Sequence, residues 1–485
     1  MAKINDLTLQ NLDEFFPETF SKEQVAEAKT IFLKELADSM HRFYGGKMQT
    51  IPKAGLYGLN WFNVLYTPGV SKVSTTIRDE VDSSFQLSNR GNLVAVVSDS
   101  TRVLGDGDCG PSGGLGVMEG KAFLMKYLGG VDGISLCIDS RNESGEHDPK
   151  KIIEFVKMLA PSVGAVNLED ISQPNCFEVL DNLREACDIP VWHDDAQGTA
   201  CVTLAGLINA LKVVNKKISD VKIALLGAGA SNTTIASLIL QAGGDPAKMV
   251  ICDSKGGLHT DRTDIEADKA FYKKWDLCQR TNPQKVNSIQ EAMDGADVLI
   301  ALSRPGPDTV KKEWIETMAE KSIVFVCANP VPEIYPHAAK EAGAYIVATG
   351  RGDFPNQVNN SLCFPGLLKG ALLVRARKIT DKMAISAAYA IAETAEKNGI
   401  SADYICPTME ETETFRNVAR AVALQAQEDG VARIQMTGDE VYAQASKDID
   451  EARGLTQHLI DEKYIKEPSI DMLEAALEKT IAQVG

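Results

Sequence analysis

The sequence lacks the cysteine and histidine patterns of a zinc site. Its ten cysteines are scattered singly, without a Cys-x-x-Cys pair, and none of its six histidines clusters with another histidine or a cysteine. A zinc site with nitrogen and sulfur ligands is therefore not expected. The same scatter argues against a disulfide framework, so we expect reduced, mostly buried thiols and a cytoplasmic location.

Basic residues and long apolar runs are also scarce. The 50 Lys and Arg against 67 Asp and Glu give a net charge of −17, which argues against nucleic acid or an anionic membrane as a partner. The first residues, MAKINDLTLQNLDEFF, have no signal-peptide pattern, and no uninterrupted apolar stretch is long enough to span a bilayer. The 485 residues are enough for two or three domains.

Apolar runs alternate with helix-length segments along most of the chain. In the first half this pattern predicts strands at 93–99, 133–138 and 163–168 and helices at 121–128, 148–159 and 177–187. A sharper βαβ pattern follows, with the strand candidates VKIALLG, KMVICD, ADVLIAL, SIVFVCA and AYIVAT. We expect parallel sheets, with one ligand cleft at the carboxyl ends of the later strands, which fall at Gly227, Asp253, Ser303, Asn329 and Gly350.

Two adjacent acids, Asp194 and Asp195, stand in the segment VWHDDAQGTA. A strand is predicted before them and an apolar helix over Thr199–Val214 after them, so they fall on a strand-to-helix turn. Capping of the helix by an aspartate explains one carboxylate but not two.

A second acidic pair, Glu169 and Asp170, follows the apolar strand of VGAVNLED. With Asp195 this pair offers three carboxylates, and hard oxygen ligands of this kind suit Mg²⁺ or Mn²⁺. Taken singly, the pair Glu169 and Asp170 is better explained as two solvated acids on a loop. Two acidic pairs at strand ends favour a metal site.

The segment GAGASN follows a predicted strand and opens a predicted helix, which is the context of a dinucleotide-binding turn. Gly227 permits the tight turn, and Gly229 lets the backbone approach a pyrophosphate. Asn232 stands at the third glycine position and departs from that pattern. Asp253, at the end of the next strand, is placed to bind ribose hydroxyls, while Lys255 and Arg262 close behind it would attract a 2′-phosphate. NAD⁺ and NADP⁺ both stay open, as does a simple glycine turn.

Lys121 and Tyr66 are two further candidates with ordinary alternatives. Lys121 follows a glycine-rich loop at the predicted start of a helix, where the helix dipole disfavours a cation and would lower the lysine pKa, as a general base requires. The alternative is a surface lysine. Tyr66 opens YTPGV, which is also a common turn sequence with a packed ring.

Seven motifs in order, YTPGV, MEGK, NLED, HDDAQGTA, GAGASN, ANPVPE and FPNQVNNSLCFPG, resemble the malic enzyme family in its shorter form over roughly residues 60–375. The resemblance implies oxidative decarboxylation of L-malate to pyruvate and CO₂, reduction of NAD⁺ or NADP⁺, and a requirement for Mg²⁺ or Mn²⁺. It also implies a homodimer or homotetramer. A malolactic-type enzyme or oxaloacetate decarboxylase that retains its nucleotide is the alternative, followed by a noncatalytic nucleotide sensor.

The resemblance also implies residue roles. Lys121 would take the malate hydroxyl proton, Tyr66 would protonate enolpyruvate, and Asp194 would orient Lys121. The matching metal ligands are Glu169, Asp170 and Asp195, and the matching substrate contacts are Arg102, Asn329 and Asn359. The residues expected at the dinucleotide are Gly227, Gly229, Ala230, Ser231, Asn232, Asp253, Ser254, Lys255, Asn329 and Asn360.

Together these expectations describe an α/β protein with a Rossmann-like, doubly wound parallel sheet, a second α/β domain for substrate and metal, and helical terminal segments. Residues 1–60 form a helical N-terminal segment and a candidate oligomer interface. Residues 61–193 and about 360–485 form the catalytic domain, and residues 194–359 form the dinucleotide domain.

Overall fold

The computed structural model describes residues 4–485, and the chain divides into two compact units, Met1–Ile51 with Ala452–Gly485 and Pro52–Glu451. In the first unit, helix Lys22–Tyr44 begins with a capping box of Ser21 and Gln24 and packs against helix Ile470–Val484. The buried side chains Ala28, Phe32 and Leu36 follow helical spacing along the packed face. The C-terminal helix therefore pairs with the N-terminal segment, whereas the sequence places it with the catalytic domain.

The second unit contains two parallel sheets. The first has strands β1 (Leu93–Ser98), β2 (Asp132–Cys137), β3 (Ala165–Leu168) and β4 (Val191–His193) in the order β2-β1-β3-β4. Of its four strands, β1 and β3 are central and almost completely buried, while β2 is a half-buried edge strand. Buried apolar runs of this kind are typical of parallel strands covered by helices.

The second sheet has strands β5 (Ile223–Leu226), β6 (Met249–Asp253), β7 (Gly256–Gly257), β8 (Val298–Ala301), β9 (Ile323–Val326) and β10 (Ile346–Thr349). Their order is β10-β9-β8-β5-β6-β7, and all pairs are parallel except β6 with β7. The chain winds outward in both directions from β5, so β5 and β8 flank the switch point where such sheets bind ligands. The expected α/β architecture with parallel sheets is confirmed.

Three helices named here position the site. They are the lysine helix Leu115–Gly129, the core helix Thr199–Val214 and the dinucleotide helix Ala230–Gln241. The other α-helices that include second-unit residues are Trp61–Leu65, Val70–Asp79, Ser84–Leu87, Pro149–Leu159, Asn175–Ala186, Thr263–Ala267, Tyr272–Arg280, Ile289–Met293, Lys312–Ile315, Pro336–Glu341, Phe364–Leu373, Asp381–Lys397, Glu413–Glu428 and Gly438–Asp461.

One hydrophobic core runs through both sheets of the second unit. It joins Val94 of β1 and Trp192 of β4 to the core helix, to Leu225 of β5 and to helices Phe364–Leu373 and Asp381–Lys397. The domain boundaries at residues 193 and 360 remain a prediction, because the apolar packing is continuous across them.

The core helix explains one apparent membrane signal. Within the described residues, the helical segment Asp194–Val214 is long and apolar enough to cross a bilayer, but 78% of its apolar window is buried inside the protein. Thr199, Thr203 and Asn209 interrupt its apolar run, which is why the sequence shows no uninterrupted stretch. Among residues 4–485, which include all ten cysteines, every cysteine is a free thiol and all but Cys109 and Cys137 are buried.

Candidate active site

A cavity of about 710 Å³ lies at the carboxyl ends of strands from both sheets. The cavity brings together most of the residues that the sequence assigns to base, metal and substrate: Arg102, Lys121, Glu169, Asp170, Asp195, Asn329 and Asn359. Of the dinucleotide candidates it also collects Gly227, Gly229, Ala230, Ser231 and Asn360. Residues up to 258 positions apart meet here because the carboxyl ends of parallel strands share one edge.

Lys121 lies inside the lysine helix, not at its first turn. The helix begins at Leu115, so the expected position at a helix start is wrong, and the helix dipole is not the main influence on the lysine. The Lys121 ammonium contacts Asp194, lies 3.0 Å from Glu169 and sits 4.7 Å above the centre of the Phe364 ring.

The expected low pKa of Lys121 is also corrected. Burial disfavours its charge, but the carboxylates of Asp194 and Glu169 outweigh burial and raise the pKa of Lys121 above its ordinary value. Without other charges in the cavity, the lysine is therefore protonated. A base function requires a further positive charge that competes for these carboxylates.

Asp194 and Asp195 lie on a short π-helical turn, Asp194–Gly198, and their side chains bind different partners. Asp194 is fully buried, accepts a hydrogen bond from the Trp192 indole N–H at 3.1 Å and holds Lys121 with its other oxygen. Asp195 accepts the backbone N–H of Asp170 at 2.7 Å. The two neighbouring acids thus avoid sharing one site, and the turn that separates them is a feature often found at functional sites.

Glu169, Asp170 and Asp195 form a cluster whose nearest oxygen atoms all lie within 4.8 Å of one another. Burial, together with the nearby Asp195 carboxylate, raises the pKa of Asp170 to about 8 and that of Glu169 well above its ordinary value. The Asp170 Oδ2 atom is buried without a hydrogen-bond partner among residues 4–485. An unsatisfied oxygen in a crowded, buried carboxylate cluster fits a divalent cation with oxygen ligands.

The turn at Gly227 explains the Asn232 departure from the glycine pattern. Gly227 has φ +98°, and a Cβ atom there would lie 2.4 Å from the Leu302 carbonyl oxygen, so only glycine fits. The Asn232 amide donates to the carbonyl oxygens of Leu226 and Gly227, both at 2.9 Å. Asn232 therefore stabilises the turn from inside. Ser231 donates to the Asp195 carbonyl oxygen at 2.8 Å and joins this turn to the carboxylate cluster.

A second cavity of about 590 Å³ shares Gly227 and Gly229 with the first. Its lining adds Asp253, Ser254, Lys274 and Arg304. Asp253 is paired with the Arg262 guanidinium at 2.9 Å, and Arg262 also bonds Asp264. Lys255 pairs with Asp264 at 3.2 Å. Together the two cavities extend from the carboxylate cluster to Asp253. This space has the length and the polar lining that a dinucleotide needs.

Glu333 fixes two of the strand-end loops that line these cavities. Its fully buried carboxylate accepts the backbone N–H of Ser303 at 2.8 Å and that of Ala328 at 3.1 Å. Burial raises the pKa of Glu333 from 4.5 to about 7, and the two N–H donors only partly oppose that shift.

We expect Glu333 to make stability fall with rising pH. Its carboxyl ionises first in the unfolded chain, so its contribution is complete below about pH 4.5 and is lost as pH rises through about 7. The loss amounts to about 3 kcal/mol. In denaturant titrations between pH 4 and 8, Glu333→Gln should show a flatter profile than the wild type. A difference between the two proteins that does not change with pH would contradict this assignment.

Two findings lie outside the sequence expectations. Tyr66 does not line the cavity, and its side chain is 72% exposed. Sequence reasoning also missed Trp192, Phe364, Lys274 and Glu333. A Trp directly before HDD and the Phe of the FPG motif were visible signals for the first two, whereas Lys274 and Glu333 carry no local pattern.

A buried lysine and carboxylate cavity beside a doubly wound dinucleotide sheet defines the class as an α/β oxidoreductase, with a carboxylate cluster that fits a divalent cation. Family models match this chain at residues 59–184, as the malic enzyme N-terminal domain, and at residues 196–428, as the malic enzyme NAD-binding domain. The chain belongs to the malic enzyme family.

Individual relatives agree with the family match. The bifunctional malic/malolactic enzyme of Bacillus subtilis is 41% identical over 86% of this chain and 98% of its own length, and the NAD-dependent malic enzyme of Geobacillus stearothermophilus is 40% identical over 89% and 87%. A crystal structure of the Entamoeba histolytica malic enzyme has a TM-score of 0.98 and 61% identity and covers 100% of both chains. The Pyrococcus horikoshii malic enzyme has a TM-score of 0.81 and 44% identity over 86% and 95%.

Proposed function

We propose that this chain oxidises L-malate at C2 and releases its β-carboxyl group as CO₂, giving pyruvate and NADH or NADPH. The observation that carries this proposal is the Lys121 ammonium held by Asp194 and Glu169 beside two further carboxylates, in the cavity that the glycine turn also lines. Malate and the oxidised nucleotide together contain every atom and charge of the three products, so no other reactant is needed.

A divalent cation held by Glu169, Asp170 and Asp195 would polarise the C2 oxygen, stabilise the charge left by CO₂ and lower the pKa of Lys121, while the nucleotide accepts the hydride. Lys121 then takes the proton of the C2 hydroxyl. Asp194, fixed by Trp192, keeps the lysine amine aimed at that oxygen.

We assign the binding of the malate carboxylates to polar side chains that line the cavity. Arg102 lies beside Asp170, because its backbone N–H donates to the Asp170 carbonyl oxygen at 3.0 Å. Asn329 and Asn359 line the same wall from the end of β9 and from the loop after β10. A guanidinium and two amides are suited to orient a dicarboxylate without adding a competing acid.

The product mixture separates this function from its alternatives. With malate, Mn²⁺ and nucleotide, we expect pyruvate and reduced nucleotide in equal amounts. Lactate without accumulated NAD(P)H would favour the malolactic reaction, which the name of the Bacillus subtilis relative includes. Binding of nucleotide without turnover would favour a sensor, although a sensor has no need of a buried lysine and acid pair.

For the nucleotide we propose NADP⁺, with Asp253 and Ser254 at the adenosine ribose. Arg262 supports this choice by neutralising Asp253, which would otherwise repel a 2′-phosphate. Arg262 is held by two acids and Lys255 by one, whereas Lys274 lines the cavity with no acidic partner within salt-bridge distance among the described residues. Lys274 is therefore placed to contact the phosphate, and Arg304 is a second cation in the same lining.

We expect Lys274→Ala to lower the efficiency with NADP⁺ by about tenfold relative to NAD⁺, because one charge-assisted hydrogen bond is lost. The matched control is Lys273→Ala, which removes a neighbouring lysine that pairs with Asp181 outside the cavity. Calorimetric binding of adenosine 2′,5′-bisphosphate gives a readout without turnover. An unchanged nucleotide ratio and unchanged binding would refute the role of Lys274.

We further propose that the chain acts in the cytoplasm and forms a homodimer or homotetramer. The free thiols support a reducing compartment. The exposed position of Tyr66 supports an oligomer.

A further inference from the structure

His193 is a buried histidine whose imidazole ring has no role in the site described above. It is the last residue of β4 and directly precedes Asp194 and Asp195, and only 1% of its surface is exposed. Within the described part of the chain, neither ring nitrogen has a hydrogen-bond partner. Whatever its charge, an imidazole carries at least one N–H, and buried N–H groups in native proteins are almost always paired. The unpaired ring of His193 therefore calls for an explanation.

The ring lies on an apolar face of the first sheet and not on the wall of the cavity. Side chains two residues apart on a strand share a face, so His193 shares its face with Val191 of β4 and, across the strand pair, with Leu168 of β3. Both belong to one buried apolar cluster. The backbone N–H of His193 is satisfied, because it donates to Gln197 Oε1 at 2.9 Å. His193 is not among the residues that line the larger cavity, so a direct contact between its ring and the substrate is not expected.

One member of the carboxylate cluster lies close to the ring. The Nδ1 atom of His193 is 3.9 Å from the Asp195 Oδ2 atom, so a shift of only about 1 Å brings the two atoms to hydrogen-bond distance. Asp195 has the freedom for such a shift, because 35% of its side chain is exposed whereas Glu169 and Asp170 are buried. Asp195 Oδ2 already accepts the backbone N–H of Asp170 at 2.7 Å. A carboxylate oxygen accepts two donors, so Oδ2 has room for a second N–H.

We infer that His193 is a positioning residue for Asp195, and that its Nδ1–H donates to Asp195 Oδ2 when Asp195 binds the divalent cation. The imidazole N–H and the backbone N–H of Asp170 then both hold Oδ2, and the other oxygen of Asp195 is left for the cation. With the proton on Nδ1, the ring has no second N–H that requires a partner. Removal of a hydrogen bond to a ligating carboxylate typically lowers metal affinity by roughly 10- to 100-fold. The inference rests on the proposed function, because it requires the cation at the carboxylate cluster.

Packing alone is the alternative role for the ring, and two substitutions separate packing from hydrogen bonding. His193→Phe keeps a ring of similar size and removes both unpaired nitrogens, so it should keep or raise the stability of the protein. His193→Asn does the reverse. Its side-chain amide places an N–H near the position of Nδ1, but part of the ring volume is left empty, so the protein should become less stable. A ring that only fills space predicts normal cation binding by the phenylalanine variant.

Mn²⁺ binding by these two variants tests the inference without turnover. We expect His193→Phe to bind Mn²⁺ about 10- to 100-fold more weakly than the wild type in electron paramagnetic resonance titrations of the protein alone. Its urea unfolding midpoint in chelator should equal or exceed that of the wild type. His193→Asn should bind Mn²⁺ within about threefold of the wild type, although it unfolds at lower urea concentration. Wild-type affinity in His193→Phe, or affinities that follow the stabilities of the two variants, would overturn the inference.

The malate rate at high Mn²⁺ gives a second readout. A positioning residue leaves the set of ligands complete, so His193→Phe should recover to within about threefold of the wild-type rate once Mn²⁺ is saturating. Asp195→Asn lacks a ligand and should not recover. His147→Phe is the matched control, because His147 pairs with Asp108 and is not among the cavity residues, so neither Mn²⁺ affinity nor rate should change. A defect of His193→Phe that persists at saturating Mn²⁺ would contradict a positioning role.

A crystal structure of the wild type with Mn²⁺ bound decides the contact itself. The distance between His193 Nδ1 and Asp195 Oδ2 should fall from 3.9 Å to about 2.8 Å. An unchanged distance with Mn²⁺ on the carboxylate cluster would overturn this inference and leave the proposed function standing. A wild type that binds no Mn²⁺ would overturn both.

Discussion

We expect Lys121→Ala to lower malate oxidation by about 10² to 10⁴-fold, because the hydride cannot leave C2 until the hydroxyl proton is removed. The variant should still decarboxylate added oxaloacetate, which enters the reaction after hydride transfer. The rates to measure are NAD(P)H formation from malate and CO₂ release from oxaloacetate, on the same preparation.

Two controls make this expectation specific. Lys126→Ala removes a lysine from the same helix that pairs with Asp132 and is not among the cavity residues, so malate oxidation should change little. Tyr66→Phe keeps the ring but removes the acid, so enolpyruvate conversion to pyruvate should become slow. Equal defects of the lysine and tyrosine variants in all steps would show that the division of proton transfer between them is wrong.

Asp195→Asn and Glu169→Gln should abolish both partial reactions, in contrast to the lysine variant. Each change replaces a charged ligand of the carboxylate cluster by a neutral amide. We expect Mn²⁺ affinity to fall on the order of 10²-fold or more, measured by electron paramagnetic resonance with the protein alone.

Asp108→Asn is the matched control for these two variants. Asp108 lies on the glycine-rich loop and pairs with Arg141 outside the cavity. Both Mn²⁺ affinity and malate activity should stay close to wild type. Normal Mn²⁺ binding by Asp195→Asn and Glu169→Gln would show that the carboxylate cluster does not bind the cation.

Local sequence patterns predicted the parts of the fold that depend on local physics. The core helix was expected over Thr199–Val214 and has these bounds, and the five parallel strands of the second sheet fall inside the expected apolar runs. The sixth strand, the short antiparallel β7, was not expected. Apolar periodicity predicts which residues are buried and therefore where strands and helices lie. The acids at the ends of the predicted strands could then be named as candidate members of the carboxylate cluster.

Long-range contacts account for what the sequence did not predict. The pKa of Lys121 is set by Asp194, which is 73 residues away in the chain, and not by the helix that carries the lysine. The pairing of helices Lys22–Tyr44 and Ile470–Val484 has no local signal either. The YTPGV motif identifies Tyr66 but does not predict that its side chain is exposed, because exposure depends on contacts with distant parts of the chain.

The most direct test is to add Mn²⁺ stepwise to chelator-treated protein with malate and nucleotide, and to follow NAD(P)H and pyruvate together. The account predicts no reduction without the cation, saturation at one Mn²⁺ per chain, and equal amounts of NAD(P)H and pyruvate at every step. Full reduction of nucleotide in excess chelator, or pyruvate formed without NAD(P)H, would contradict it.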